Sequence, residues 1–277
     1  MKRIWVTAAV LWIGMGCGGR EVRKSPDPLQ PVSGLPSSAT PVPANITNQA
    51  VALDADPSLA GWWKFDEVSG NTCADSSSKN HGGILEGGLS FNTQSVPGRI
   101  GNAVRLDGKD GFIRIPDYKG ITGTVPRTIA AWIKTTRPDG QIVSWGHDDF
   151  GRMWIMEFIR GRIGVTPNGG YYYMKAATDD DAWHHVAVVI QPASPPNLHD
   201  HAKLFKDGEL AEIDDIGLLD LWPIDTGDSL DVCIGRGYQG LIDDLRIYSR
   251  ALSDHEIGAL FRLQSDRPLG QPELERK

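Results

Sequence analysis

The stretch GLIDDLRIYSRALSDHEIGALF, residues Gly240–Phe261, combines two secondary-structure patterns and decides the fold class. In its first half, apolar residues recur at every second position, which predicts a β-strand with one buried face. That face carries Leu241, Leu245 and Ile247. The adjacent acids Asp243 and Asp244 interrupt the pattern. Because neighbouring strand residues point to opposite faces, we expect one carboxylate beside the leucines, where a charge needs a partner.

The second half of the stretch predicts the one clear helix of the chain, SDHEIGALFRL. Ser253 is a candidate N-cap, and Glu256 stands three residues later, as in a capping box. Ile257, Leu260 and Phe261 then form one apolar stripe. We expect this stripe to pack on the edge of the β-structure.

The rest of the chain between residues 60 and 263 reads as short strands separated by Gly, Asn, Asp and Pro. KDGE, residues Lys206–Glu209, predicts a tight hairpin because Asp and Gly accept positive φ. RTIAAWIKTT and WHHVAVVIQ are apolar on both faces, which predicts central strands. Many strands with almost no intervening helix predict an all-β fold, an antiparallel two-sheet jelly-roll sandwich with one short C-terminal helix.

Composition excludes one class of partner. The chain of 277 residues has a formal net charge of −7 and a pI near 5.5, and no stretch is rich in Lys and Arg. A nucleic-acid-binding protein is expected to carry a basic patch. We therefore expect no nucleic-acid partner.

The N-terminus has the layout of a secretory signal peptide over residues 1–16. Lys2 and Arg3 precede an apolar run that is too short to span a membrane. Gly16-Cys17 resembles the lipobox of bacterial lipoproteins, although Gly14 stands where a larger aliphatic residue is usual. The resemblance implies lipidation of Cys17 and a membrane-anchored protein of the bacterial cell envelope. The alternative is simple export with an incidental cysteine.

Residues 17–59 are rich in Pro, Ser and Ala, which predicts a disordered tether, and residues 264–277 predict a polar disordered tail. With Cys17 lipidated, Cys73 and Cys233 remain, and an oxidising compartment permits them to form a disulfide. Two separate buried thiols are the alternative.

Six stretches together resemble the laminin G-like jelly roll, a branch of the concanavalin A-like lectin/glucanase fold. In chain order they are GWWKFDEVSGNTCADSSSKNHGGIL, GNAVRLDGKDGFIRIP, RTIAAWIKT, AWHHVAVV, KLFKDGEL and GLIDDLRIYSRALSDHEI. The resemblance covers residues 60–263. It implies a two-sheet sandwich, often with a structural calcium ion, but no single activity.

The resemblance also suggests where a calcium ion would bind. Members of the fold bring the N-terminal strand region beside the last strand, which would place the loop ADSSSKNHGG near the two strand acids. Oxygen donors of this kind suit Ca²⁺. The predicted ligands are Asp75, Asn80, Asp243 and Asp244. The alternative is that the strand acid is neutralised by an Arg or accepts backbone N–H bonds.

Aromatic residues suggest a ligand site. Nine tryptophans and the run YYYM provide rings that could stack on sugars beside polar side chains. The candidate set is Trp145, His147, Asp148, Asp149, Trp154 and Tyr172, with packing in the core as the alternative reading of each residue.

A glucanase of this fold would need paired acids on one strand face, but Glu157 is followed at alternate positions by Ile159 and Gly161. The sequence therefore favours a lipid-anchored, non-catalytic module that binds carbohydrate or an extracellular or envelope protein. A structural surface lipoprotein without a small ligand is the alternative, and a glycan-active hydrolase is the third interpretation.

Overall fold

Two antiparallel sheets pack face to face in the computed structural model, which describes residues 52–217 and 222–265. The first sheet has the spatial order β14 (Glu209–Leu210), β13 (Ala202–Lys206), β12 (His184–Ile190), β7 (Arg127–Lys134), β17 (Gln239–Tyr248), β5 (Asn102–Asp107) and β4 (Ser95–Pro97), and β1 (Leu59–Trp63) pairs with β17.

The second sheet has the order β15 (Ile213–Gly217), β11 (Tyr171–Met174), β10 (Arg162–Thr166), β9 (Met153–Ile159), β8 (Gln141–Gly146), β16 (Leu230–Ile234), β6 (Ile113–Ile115), β3 (Gly83–Leu85) and β2 (Thr72–Cys73). Helices α1 (Phe91–Gln94) and α2 (Leu198–His201) lie between strands, and α3 (Asp254–Ser265) follows the last strand. No described helix is long and apolar enough to cross a membrane. The predicted all-β sandwich is confirmed.

The two strands predicted to be central lie side by side in the first sheet. All seven residues of β12 are buried, and β7 is buried up to Lys134. Alternate side chains fill the core between the sheets, and the others form a second apolar cluster on the outer face, because a strand apolar on both faces needs cover on both. The predicted KDGE hairpin joins β13 to β14, with φ of 52° at Asp207 and 80° at Gly208.

Helix α3 covers the outer face of the first sheet. The capping box forms, since Ser253 Oγ accepts the Glu256 N–H at 3.3 Å and Glu256 Oε2 accepts the Ser253 N–H at 2.7 Å. Ile257 and Leu260 are buried in the outer cluster with Ala187, Val189 and Phe205 of the sheet. The helix also contacts β14, the edge strand of this sheet, so it packs on the face of the sheet and reaches the predicted edge.

The folded part also begins earlier than residue 60. Leu53 is buried in the outer cluster, Asp54 pairs with Arg246, and Asp56 pairs with Arg250 at 2.6 Å. Residues 52–59 therefore belong to the domain and not to the tether. The predicted signal peptide, Cys17 and the first part of the tether lie outside the described residues, as do residues 266–277.

A β-bulge separates the two strand acids. The pairing of β17 with β7 shifts register between Asp243 and Arg246, and Asp244 has a φ of 48°. Asp244 is 5 % exposed and accepts hydrogen bonds from Trp62 Nε1, from Gln264 Nε2 and from Arg246 Nε, the last at 3.0 Å. The guanidinium of Arg246 lies 3.9 Å from the Trp62 ring centre. One buried ion pair thus joins β1, β17 and α3.

Asp244→Asn tests this buried pair. Asn keeps the shape and tolerates the positive φ, but it removes one of the two carboxylates that pair with buried Arg246. We expect a loss of about 3 kcal/mol in the free energy of unfolding, measured by denaturant titration. Glu212→Gln removes an exposed acid that pairs with Lys175 at 3.0 Å and should cost less than about 1 kcal/mol. Equal losses in the two variants would contradict the role of Asp244.

Candidate binding groove

The outer face of the second sheet carries a groove of about 650 Å³. Four residues lie side by side across neighbouring strands of this sheet. In order they are Arg114 (β6), Cys233 (β16), Ser144 (β8) and Ile155 (β9). The short side chains of Ser144 and Cys233 form the floor because longer side chains stand on both sides. The groove is lined by Arg114, Lys119, Gln141, Ser144, Trp145, Asp148, Met153, Ile155, Asn168, Ser229, Leu230, Asp231, Cys233 and Arg236.

Solvent reaches this face of the second sheet. Along β9 the outward residues Met153, Ile155, Glu157 and Ile159 are half-buried, whereas the residues between them are buried. This alternation is that of a strand with one core face and one solvated face. It contrasts with β12, which is buried on both faces.

Two of the three cations in the groove are neutralised. Asp231 accepts from Lys119 Nζ at 2.7 Å and from Arg114 Nη1 at 3.4 Å, and Arg114 Nε also pairs with Glu86 at 2.9 Å. Burial alone would raise the pKa of Asp231, but the bonds from Lys119 and Arg114 outweigh it and lower the pKa below its ordinary value. Asp231 is therefore a fixed anion between two fixed cations.

Arg236 is the third cation. Its Cζ lies 4.2 Å from the centre of the Phe112 ring, and its Nη2 lies 3.3 Å from Cys233 Sγ. The carbonyl oxygen of Arg236 accepts the backbone N–H of Gln141, which places this residue at the start of β8. Within residues 52–217 and 222–265, no carboxylate pairs with the Arg236 guanidinium.

An exposed aromatic pair lies beside the other end of the groove. Asp148 Oδ1 accepts from Asn168 Nδ2 at 3.3 Å, and both residues line the groove. The next residue, Gly169, sits against the rings of Phe150 and Trp222. These rings stack at 5.1 Å and 22°, with 56 % of Phe150 and 39 % of Trp222 exposed.

The predicted ligand residues are only partly at this site. Trp145, Trp154 and Tyr172 belong to the core between the sheets, so their prediction as an exposed sugar platform is wrong. Trp145 borders the groove, but it is 1 % exposed and donates to the Ile121 carbonyl at 3.1 Å. The count of tryptophans carried no information on which face each ring occupies.

The predicted polar residues lie in the loop after β8. Asp148 lines the groove, and His147 Nδ1 lies 2.6 Å from Oγ of Ser229, another lining residue. Asp149 accepts the Phe150 N–H at 2.8 Å and is not among the lining residues.

Sequence reasoning missed Arg114, Ser144, Asp231 and Arg236. A signal was present, because Arg114 and Ser144 are single polar residues inside otherwise apolar strands. Such a residue marks a solvated position on a strand. The order of the strands in the sheet, which brings these positions together, was not available from the pattern.

Two of the predicted calcium ligands, Asp75 and Asp244, are engaged by hydrogen-bond donors. The carboxylate of Asp75 accepts the backbone N–H groups of Trp62, Ser77 and His81 at 2.8–2.9 Å, and Asp244 accepts the bonds described above. Asn80 lies at a loop position with a φ of 60°. Among the described residues, no three His, Cys, Asp or Glu side chains are grouped to hold a metal. N–H donors already occupy Asp75 and Asp244, and a calcium site on the four residues stays a prediction.

The predicted disulfide is also wrong. Cys73 and Cys233 are both free and buried. They lie on β2 and β16, with β3 and β6 between them in the sheet. Three strand spacings amount to about 14 Å, whereas disulfides join Cα atoms less than about 7 Å apart.

Comparison with known proteins agrees with this architecture. A laminin G family model described as Concanavalin A-like lectin/glucanases superfamily matches residues 107–258. This match covers more than half of the chain, and the chain belongs to that superfamily. The resemblance inferred from the sequence is confirmed. No curated protein sequence matches the chain.

Three solved structures illustrate the similarity. Domain 4 of an extracellular arabinanase from Geobacillus stearothermophilus, in complex with arabinotriose, has 20% identity and a TM-score of 0.55, covering 73% of this chain and 97% of that domain. The binding domain of Paraclostridial Mosquitocidal Protein 1 has 18% identity and a TM-score of 0.49 over 74% of this chain and 52% of that one. The Botulinum neurotoxin serotype D ligand binding domain, in complex with N-acetylneuraminic acid, has 14% identity and a TM-score of 0.47. The match covers 78% of this chain and 53% of that one. At 20% identity, the arabinanase domain shows a shared fold alone.

Proposed function

We propose that the protein is a non-catalytic carbohydrate-binding module that is exported and held at the bacterial cell envelope by a lipid on Cys17. The observation that carries the binding function is the open groove on the second sheet. The anchor rests on the charged, apolar and Gly16-Cys17 sequence pattern of the N-terminus. The arabinanase domain of the same fold, solved with arabinotriose, supports a sugar as the ligand class.

The groove has the chemistry that sugars require. Gln141, Ser144, Asn168 and Ser229 offer neutral hydrogen-bond donors and acceptors for hydroxyl groups. Met153, Ile155 and Leu230 offer apolar surface for the C–H faces of a sugar ring. A mostly apolar concave surface with a few fixed polar groups is the usual form of a small-ligand site.

Strand β9 does not carry the paired acids of a glucanase on this face. The outward residues of β9 are Met153, Ile155, Glu157 and Ile159, so this strand presents a single acid. Retaining hydrolysis needs two carboxyl groups about 5–5.5 Å apart, and inverting hydrolysis needs about 6.5–9.5 Å. In addition, the Glu157 carboxylate is hydrogen-bonded to the Gln141 side chain.

A calcium ion is a separate proposal, with a smaller ligand set than the one predicted. Asp243 Oδ2 accepts the N–H groups of Arg99 at 2.7 Å and Ile100 at 2.9 Å, and Asp66 Oδ1 accepts the Asn102 N–H at 2.8 Å. Asp243 Oδ1 is buried without a hydrogen-bond partner. Two acids on one turn, with one carboxylate oxygen unsatisfied, suit Ca²⁺, which also accepts carbonyl oxygens and water.

Ser144→Tyr tests the groove. The larger side chain points outward from the floor and fills the groove without entering the core. In a screen of immobilised oligosaccharides, we expect the wild-type protein to bind at least one sugar and Ser144→Tyr to bind it at least about tenfold more weakly. Arg105→Tyr, at an exposed position on β5 of the first sheet, should bind like wild type. Retained binding by Ser144→Tyr would place the site elsewhere, and no binding by wild type would favour a structural role or a protein partner.

Chelation tests the calcium proposal. At a hundredfold excess of Ca²⁺ over its Kd, the ion stabilises the domain by about 2.7 kcal/mol, so EDTA should lower Tm by about 5–10 °C. Asp243→Asn should melt at the same temperature with and without EDTA. Asp75→Asn should retain the response, because Asp75 is occupied by N–H donors. Identical melting curves of the wild-type protein in EDTA and in calcium would mean that Asp243 carries a proton instead.

A further inference from the structure

We infer that the groove recognises an acidic polysaccharide, with a sugar carboxylate on Arg236 and a sugar ring against Phe150 and Trp222. This inference rests on the proposed function and specifies its ligand class. It follows from the different chemistry of the two ends of the groove.

The first step is the charge balance at the Arg236 end. Arg114 and Lys119 are held by the two acids Glu86 and Asp231, whereas no carboxylate of the described residues pairs with the Arg236 guanidinium. This end therefore carries one guanidinium without a directly paired carboxylate, while the outward acid Glu157 is hydrogen-bonded to Gln141. The chain as a whole has a net charge of −7, which repels polyanions from most of its surface. A polyanion that binds must do so at a local cationic site.

The second step is the geometry of the guanidinium. The guanidinium lies over the Phe112 ring at 4.2 Å, and one N–H faces Cys233 Sγ, which is a weak acceptor. The remaining N–H groups form the planar fork that matches a carboxylate with two parallel hydrogen bonds. A neutral hydroxyl accepts one of these bonds without charge assistance, so Arg236 favours an anion over a neutral group.

The third step is the distance between the two ends. Arg236 lies beside Gln141 at the start of β8, and Phe150 and Trp222 lie beyond Gly146 at its end. Five residue steps along a strand span about 17 Å. A monosaccharide cannot reach both ends. The occupant is therefore a chain of several sugars that lies along β8, with its hydroxyl groups over Gln141 and Ser144.

The experiment compares each acidic glycan with its own uncharged form. Oligomers of galacturonate, glucuronate and the alginate uronates are titrated by calorimetry into the full-length protein, each as the free acid and as its methyl ester. We expect at least one acid to bind at least about tenfold more tightly than its ester. A sulfated neutral glycan is included to distinguish carboxylate recognition from general attraction of anions.

Matched variants locate the effect. Arg236→Gln should reduce the affinity for the acid to that for the ester, and Arg236→Lys should fall between. Arg105→Gln removes an exposed positive charge from the first sheet and should change nothing. Trp222→Ala should weaken acid and ester alike. The melting temperature of each variant confirms that it is folded.

Three kinds of result would overturn the inference in different ways. If no acid is preferred over its ester, or if Arg236→Gln keeps the preference, the acidic ligand is wrong while the carbohydrate-binding function stands. If the sulfated glycan binds as tightly as the best uronate, selectivity for a carboxylate is wrong. If neither acids, esters nor neutral oligosaccharides bind, the proposed function itself fails.

Discussion

The buried pair of Asp244 and Arg246 determines which surface of this sandwich is free. A charged pair in a largely apolar interior is tolerable only when its remaining hydrogen bonds are satisfied, and here Trp62, Gln264 and Asp54 supply them. These partners come from the first strand, the last helix and the residues before the first strand. The pair therefore fixes both ends of the described chain on the same face of the first sheet.

That arrangement leaves the two sheets with different tasks. The first sheet is apolar on both faces and is covered by the second sheet on one side and by α3 on the other. The second sheet has only its inner face in the core, and its outer face alternates between buried and half-buried positions. Short side chains at Ser144 and Cys233 turn this solvated face into a groove, and the charges of Arg114, Lys119 and Asp231 fix its walls. Binding is thus separated from the contacts that stabilise the fold.

Local sequence patterns predicted most of the fold and little of the site. The capping box at Ser253, the KDGE hairpin and the central strands depend on neighbouring residues, and all three are confirmed. The bulge at Asp244 depends on its register with β7, more than a hundred positions away in the chain, so strict alternation was the wrong expectation there. The groove joins β9, β8, β16 and β6, whose order in space differs from their order in sequence. The strand order also separates Cys73 from Cys233. Because that order could not be predicted from the sequence, a disulfide between them was expected.

Alkylation of Cys233 tests the central claim, that sugars bind on the outer face of the second sheet. Cys233 lies on the floor of the groove, whereas burial raises the pKa of Cys73 to about 12 and keeps that thiol protonated and unreactive. The rate of iodoacetamide labelling of Cys233 is followed by peptide mass analysis with and without a saturating oligosaccharide. The account predicts that the bound sugar slows labelling of Cys233 at least about tenfold, since the ligand covers the thiol. A sugar that binds while the rate at Cys233 stays unchanged would contradict it.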